Sequence, residues 1–141
     1  MRSLILPLIA AAGLAACTQT PAETARAADR EAGEQAKLQQ RLAGLVPGKP
    51  QSCIDEYDTR DAQVSSYGNT ILYTLGRGTA YRSDTSGGCS DLGSGGHNIL
   101  VTKTSSSQLC QGDIATTVDN SSHLQSGSCG FGPFVRYSRP K

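Results

Sequence analysis

Five cysteines in 141 residues limit what this chain can become more than any other feature. One of them, Cys17, closes the run Leu14-Ala15-Ala16-Cys17 and is read separately below. The other four, Cys53, Cys89, Cys110 and Cys129, contain no close Cys pair of the kind zinc ribbons use. The pattern therefore reads as two disulfides rather than a metal site. Each such bond contributes roughly 2–4 kcal/mol by restricting the unfolded chain. With 2 Phe, 5 Tyr, no Trp and 16 Gly, the chain has little aromatic mass for a core and many turns, so it needs that restriction. Four cysteines allow three connectivities. Cys53–Cys110 with Cys89–Cys129 is preferred, because it ties the first strand of the body to its middle.

Stable disulfides belong to oxidising compartments, and the first residues point to one. Arg2 is a short positive start, and Leu4 to Leu14 is an almost unbroken apolar run. It is shorter than the roughly 20 apolar residues of a membrane-spanning helix and fits the core of a secretory signal. Residues 1–16 thus read as a lipoprotein signal peptide. The small residues before Cys17 match the bacterial lipobox, in which the cysteine thiol receives a diacylglyceryl group. Each buried methylene contributes about 0.8 kcal/mol, so two or three acyl chains anchor durably where one does not. Thr18 follows Cys17 where Asp would mark inner-membrane retention, and by resemblance to Gram-negative lipoproteins this favours the outer membrane, facing the periplasm. Overall, Lys and Arg total 13 and Asp and Glu 12. Loss of Arg2 with the leader leaves a formally neutral chain, and no single-sign field argues for nucleic acid.

Residues 17–50 read as a lipid-anchored tether and helix, and residues 51–141 as a β-rich globular domain. Pro21 suits a helix start, and Ala22 to Leu45 is rich in Ala, Glu, Arg, Gln and Lys. Leu38, Leu42 and Leu45 share one helical face, which predicts a solvated spacer whose last two turns dock on the body. Pro47-Gly48-Lys49-Pro50 breaks the helix. Strand signals follow: Asn69 to Leu75 and Thr79 to Arg82 as a hairpin, then His97 to Thr102, Asp113 to Val118 and Gly130 to Tyr137. Pro133 suits an edge or a bulge. The expected fold is mainly β: a small disulfide-stapled sandwich or barrel preceded by a helical spacer. Its expected core is Ile54, Val64, Ile71, Tyr73, Leu75, Ile99, Val101, Ile114, Val118, Phe134 and Val135.

Several short stretches occur in a familiar order: Ser52-Cys53-Ile54, Ile71-Leu72-Tyr73, Gly88-Cys89-Ser90-Asp91-Leu92, Leu109-Cys110-Gln111-Gly112-Asp113 and Gly127-Ser128-Cys129-Gly130-Phe131-Gly132-Pro133-Phe134. Over residues 50–138 the chain resembles a family of small, uncharacterised proteobacterial envelope proteins defined by a domain of unknown function. The resemblance implies fold and location and brings no mechanism.

Candidates for chemistry are sparse. His97, His123, Asp91 and Asp113 lack the spacing that places two metal ligands on one helix face or hairpin, so no metal or cofactor is expected. Asp113 follows Gly112, where a carboxylate commonly bonds a backbone N–H in a turn. No Gly-x-Ser-x-Gly elbow is present, and the glycine-rich stretch around Ser94 lacks the Lys and spacing of a phosphate-binding loop. Arg77 and Arg82 flank the hairpin, and Arg136 and Arg139 lie near the carboxyl end with Lys141. Facing one way, these arginines would meet anionic envelope polymers such as peptidoglycan or lipopolysaccharide. The expectation is therefore a non-enzymatic, lipid-anchored binding or structural module whose partners are the membrane and an envelope polymer or periplasmic protein. The alternative is an inhibitor of a periplasmic hydrolase such as lysozyme, and after it a small hydrolase using His97 or Asp113.

Overall fold

The computed structural model describes residues 20–76, 78–89, 91–93, 96–104 and 106–140. Cys17, Arg77, Ser94 and Lys141 lie outside the described residues.

Helix α1 spans Pro21–Leu42 and begins with a reciprocal cap. The Glu23 N–H donates to Thr20 Oγ1 at 3.3 Å, and the Thr20 N–H donates to Glu23 Oε2 at 2.8 Å. Two otherwise orphaned donors are thereby satisfied. These bonds, the one from the Thr20 backbone foremost, hold the Glu23 carboxyl below its ordinary range. The helix stops three residues short of the expected end, because Gly44 takes a left-handed turn (φ 77°) that turns Leu45 back under the helix. Leu38 and Leu42 are buried against Tyr67, Leu72 and Ala80, with Leu45 and Tyr137 half-covered beside them. The expected docking of the last two turns is what the structure has.

The Pro-Gly segment does more than break the helix. Val46–Gln51 forms β1, a fully exposed strand antiparallel to the last strand of the chain. Two prolines are tolerated there because β1 has a neighbour on one side only, and its register shifts between Pro47 and Pro50. Next come β2 (Cys53–Asp55), the single helical turn α2 (Glu56–Thr59), β3 (Gln63–Tyr67), β4 (Thr70–Leu75) and β5 (Thr79–Gly88). They are followed by β6 (Asn98–Thr102), β7 (Gln108–Cys110), β8 (Ile114–Asp119) and β9 (Gln125–Ser138).

The main sheet runs β3-β4-β5-β9-β8-β6, antiparallel throughout, and curls into a half-barrel; β1 adds to β9, and β2 pairs with β7 apart from it. The spine is β9, paired with β5 over most of its length, with β8 in its first half and with β1 in its second. Ser83 faces Phe134 and Thr85 faces Phe131, so Gly132-Pro133 form a bulge opposite Asp84. A Cβ on Gly132 would collide with the Asp84 carbonyl oxygen. The bulge turns both Phe131 and Phe134 inward, 5.5 Å apart by ring centroid. They meet Ile71, Tyr73 and Tyr81 on the concave side, where Ile54 and Leu109 of the small sheet complete the core.

Both disulfides join the preferred pairs. Cys53–Cys110 bridges directly opposed residues of β2 and β7, and Cys89–Cys129 ties the end of β5 to β9. The second bond overturns part of the expected core. Ala115 stands opposite buried Cys129, and Ala115 and Thr117 are the residues of β8 that face the concave side. Because strand side chains alternate, Ile114 is driven outward (57% exposed), and its neighbours Ile99 and Val101 on β6 follow (48% and 39%). Leu100 points in instead, packed against the core. Val118 and Val135 are half-buried.

Candidate functional site

A cleft of about 980 Å³ lies between α1 and the body. It exists because α1 docks through Leu38 and Leu42, while the turns before them carry polar residues on the same face. Arg30, Gly33, Glu34 and Lys37 form one wall. The other wall is made by the end of β3 (Ser66), Gly68, the segment after β5 (Asp91, Leu92) and the start of β6 (His97, Asn98), with Asp119. Gly68 has φ 60°, and a Cβ there would stand 2.6 Å from the Glu31 carboxylate, so the β3–β4 turn passes directly under the helix.

Charges of both signs line this space. Lys37 pairs with Glu34 at 2.7 Å. Asp119 accepts backbone N–H bonds from Ser121 (2.9 Å) and Ser122 (2.7 Å) and the Ser122 hydroxyl (3.0 Å). Those bonds, chiefly the Ser122 N–H, hold its carboxyl below the usual range, and nearby His97 adds in the same direction. The Asn120 N–H donates to the His97 carbonyl at 2.7 Å, which fixes His97 beside that turn with an exposed ring. Ser66 accepts the Leu92 N–H at 3.1 Å. Asp119 is thus occupied in organising a turn, and the described residues of the cleft present fixed charges and backbone edges.

The structure brings together two residues singled out from sequence, Asp91 and His97, and leaves the others elsewhere. Asp113 accepts the Cys110 N–H at 2.7 Å, the turn role expected of it. It precedes β8 whereas His97 sits beside the far end of that strand, about 20 Å away at 3.4 Å per residue. A His97–Asp113 acid–base pair is therefore excluded. His123 takes a left-handed conformation in the β8–β9 turn. Among the described residues no group of three or more His, Cys, Asp or Glu gathers to hold a metal.

The arginines do not face one way. Arg82 is opposite Val135 and Arg136 opposite Tyr81, one register position apart, so they lie on opposite faces of the sheet. Arg82 forks onto Asp84 through Nε and Nη2, both at 3.0 Å. Arg139 lies along Gly78, where a Cβ would meet its side chain. A single patch of Arg82, Arg136 and Arg139 is therefore not formed. Arg30, Glu34 and Lys37 were missed because α1 reads as a solvated spacer. The signal was present, since they continue upstream the helical stripe that ends in Leu38 and Leu42.

No family model, curated protein or solved structure matches this chain.

Proposed function

We propose that the protein is a lipid-anchored binding module of the cell envelope, in which α1 is both the arm from the membrane and one wall of a recognition cleft. The observation that carries this reading is the docking of Leu38 and Leu42, which turns a polar stretch of helix toward the body across about 980 Å³. The mixed lining of Arg30 and Lys37 against Glu34 and Asp119 suits a polymer that itself bears carboxylates and amines, as peptidoglycan does.

Lipidation at Cys17 would hold the start of α1 close to a bilayer. The three steps from Cys17 to Thr20 span at most about 11 Å, whereas α1, with 22 residues, reaches about 33 Å. The cleft then stands in the periplasm beside an outer-membrane anchor. Among the described residues no helix is long and apolar enough to cross a membrane.

Sedimentation with purified peptidoglycan sacculi tests the reading. Binding is expected to fall several-fold in Arg30→Glu and Lys37→Glu and to stay unchanged in Arg139→Gln. Absence of co-sedimentation, or equal loss in all three variants, would reject the cleft as the binding site.

A further inference from the structure

A second concavity lies on the other side of the sheet from α1. The half-barrel's two edge strands, β3 and β6, both contribute to it: Val64 from one and Leu100 from the other line a cavity of about 400 Å³. Its floor is Tyr73 of β4, and Leu109 of β7 adds a further apolar wall. The single turn α2 forms a polar rim with Glu56, followed by Arg60. The volume is within the range of small-molecule sites, and the lining is mixed: Val64, Leu100 and Leu109 give it an apolar side, and Thr59, Thr102 and Thr104 add polar surface beside the rim.

Tyr73 is the unusual member. Its side chain is 5% exposed, and its hydroxyl has no hydrogen-bond partner among the described residues. Buried polar groups are nearly always paired. Among the described residues, the one fully enclosed side-chain oxygen left without a partner is Thr74 Oγ1. The Tyr73 hydroxyl therefore keeps an opening, and the cavity lined by Tyr73 is where it opens. Burial pushes this phenol well above its ordinary pKa, so it remains a proton donor throughout the physiological range. On the rim, the Arg60 guanidinium stacks over the Tyr57 ring at 5.4 Å and has no carboxylate within ion-pair distance among the described residues.

We propose that the mouth of the half-barrel binds a small monoanionic amphiphile, with its hydrocarbon body against Val64, Leu100 and Leu109, its oxygen acceptor at the Tyr73 hydroxyl and its charge balanced by Arg60. Glu56 on the same rim opposes a second negative charge, which selects a monocarboxylate over a dianion. This site is separate from the α1 cleft, so either one stands or falls without the other.

Octanoate is the probe, titrated into the isotope-labelled full chain, produced unacylated and kept free of detergent, with backbone amide shifts followed by NMR. Saturable shifts are expected at Val64, Leu100, Thr102 and Leu109. Tyr73→Phe and Arg60→Gln are each expected to weaken binding about fivefold or more. The eight-carbon dicarboxylate suberate is expected to bind more weakly than octanoate. Tyr73→Phe removes a hydroxyl that bonds none of the described residues, so its thermal midpoint should be unchanged or higher, which separates lost recognition from lost fold. Leu100→Phe, which fills the cavity from one wall, is the second variant and is expected to block the probe. Shifts that do not saturate, shifts confined to the outward Ile99, Val101 and Ile114, or undiminished binding by Tyr73→Phe would overturn the proposal. Suberate binding as tightly as octanoate would overturn its charge assignment.

Discussion

Replacing the cysteines pairwise by alanine separates two ways in which the disulfides stabilise this fold. In the chain-entropy description, the bond between Cys89 and Cys129, with a sequence separation of 40, restricts the unfolded chain by about 3.9 kcal/mol. The bond between Cys53 and Cys110, with a separation of 57, gives about 4.2 kcal/mol. Loop length alone thus ranks Cys53–Cys110 slightly higher. Packing reverses the order. Cys89 and Cys129 are buried in the main core, opposite Ala115, so Cys89→Ala with Cys129→Ala also empties two sulfur-sized volumes at roughly 1 kcal/mol each. The Cys53–Cys110 bond joins the two strands of the small separate sheet, and its cysteines are half-buried. The expected costs are about 5–6 kcal/mol for the Cys89/Cys129 pair and about 4 kcal/mol for the Cys53/Cys110 pair. For a domain of this size those are drops of roughly 16–48 °C in Tm, since 1 kcal/mol corresponds to about 4–8 °C. Urea unfolding followed by tyrosine fluorescence gives the midpoint and the slope for each double variant. A larger loss from the Cys53/Cys110 pair would refute the packing argument, and no loss from either would refute the restriction argument itself.

Three further outcomes follow from the packing and the ionisations. Leu38→Ala, at a fully buried position, should cost about 2–5 kcal/mol and be felt first as release of α1. Limited proteolysis should then cut α1 while the body stays intact, and an uncut helix would count against docking through Leu38. Phe134→Ala should cost about 3–5 kcal/mol and Ile114→Ala under about 1 kcal/mol, although the strand pattern alone assigns both to the core; chemical denaturation compares them. The Tyr73 phenol is raised by burial, so the stability it contributes is complete below its unfolded value of about 10 and is lost as pH climbs toward the folded value. Thermal melts between pH 9 and 11 should fall less steeply for Tyr73→Phe than for the parent chain, and parallel slopes would contradict the burial.

Much of the architecture is legible from single stretches. Pro21 marks a helix start, and the i, i+4, i+7 leucines mark the face that docks. Asn69 to Arg82 reads as a hairpin and folds as one. Pro133 reads as a residue of an edge or a bulge, and the structure has the bulge. The strand in Pro47 to Pro50 is invisible from its own residues, because two prolines and a glycine disfavour a strand and only the free side of β9 makes one form. The cleft is half legible: Arg30, Glu34 and Lys37 lie on the leucine stripe, but the residues opposite them come from four separate places in the chain.

By itself, the sequence determined what depends on near neighbours: where α1 starts, which of its faces is apolar, which segments prefer extended backbone, and that four sulfurs would pair. Which side of a strand became the inside was a different kind of question. Ile99, Val101 and Ile114 are better core residues than Ala115 or Thr117 by any intrinsic scale, yet they face outward. Ala115 opposite the buried Cys129 and Thr117 face the concave side, and strand alternation with the β6–β8 pairing then puts Ile114, Ile99 and Val101 on the other face. Tertiary structure alone decided that, because an extended strand offers both of its faces equally until a partner occupies one.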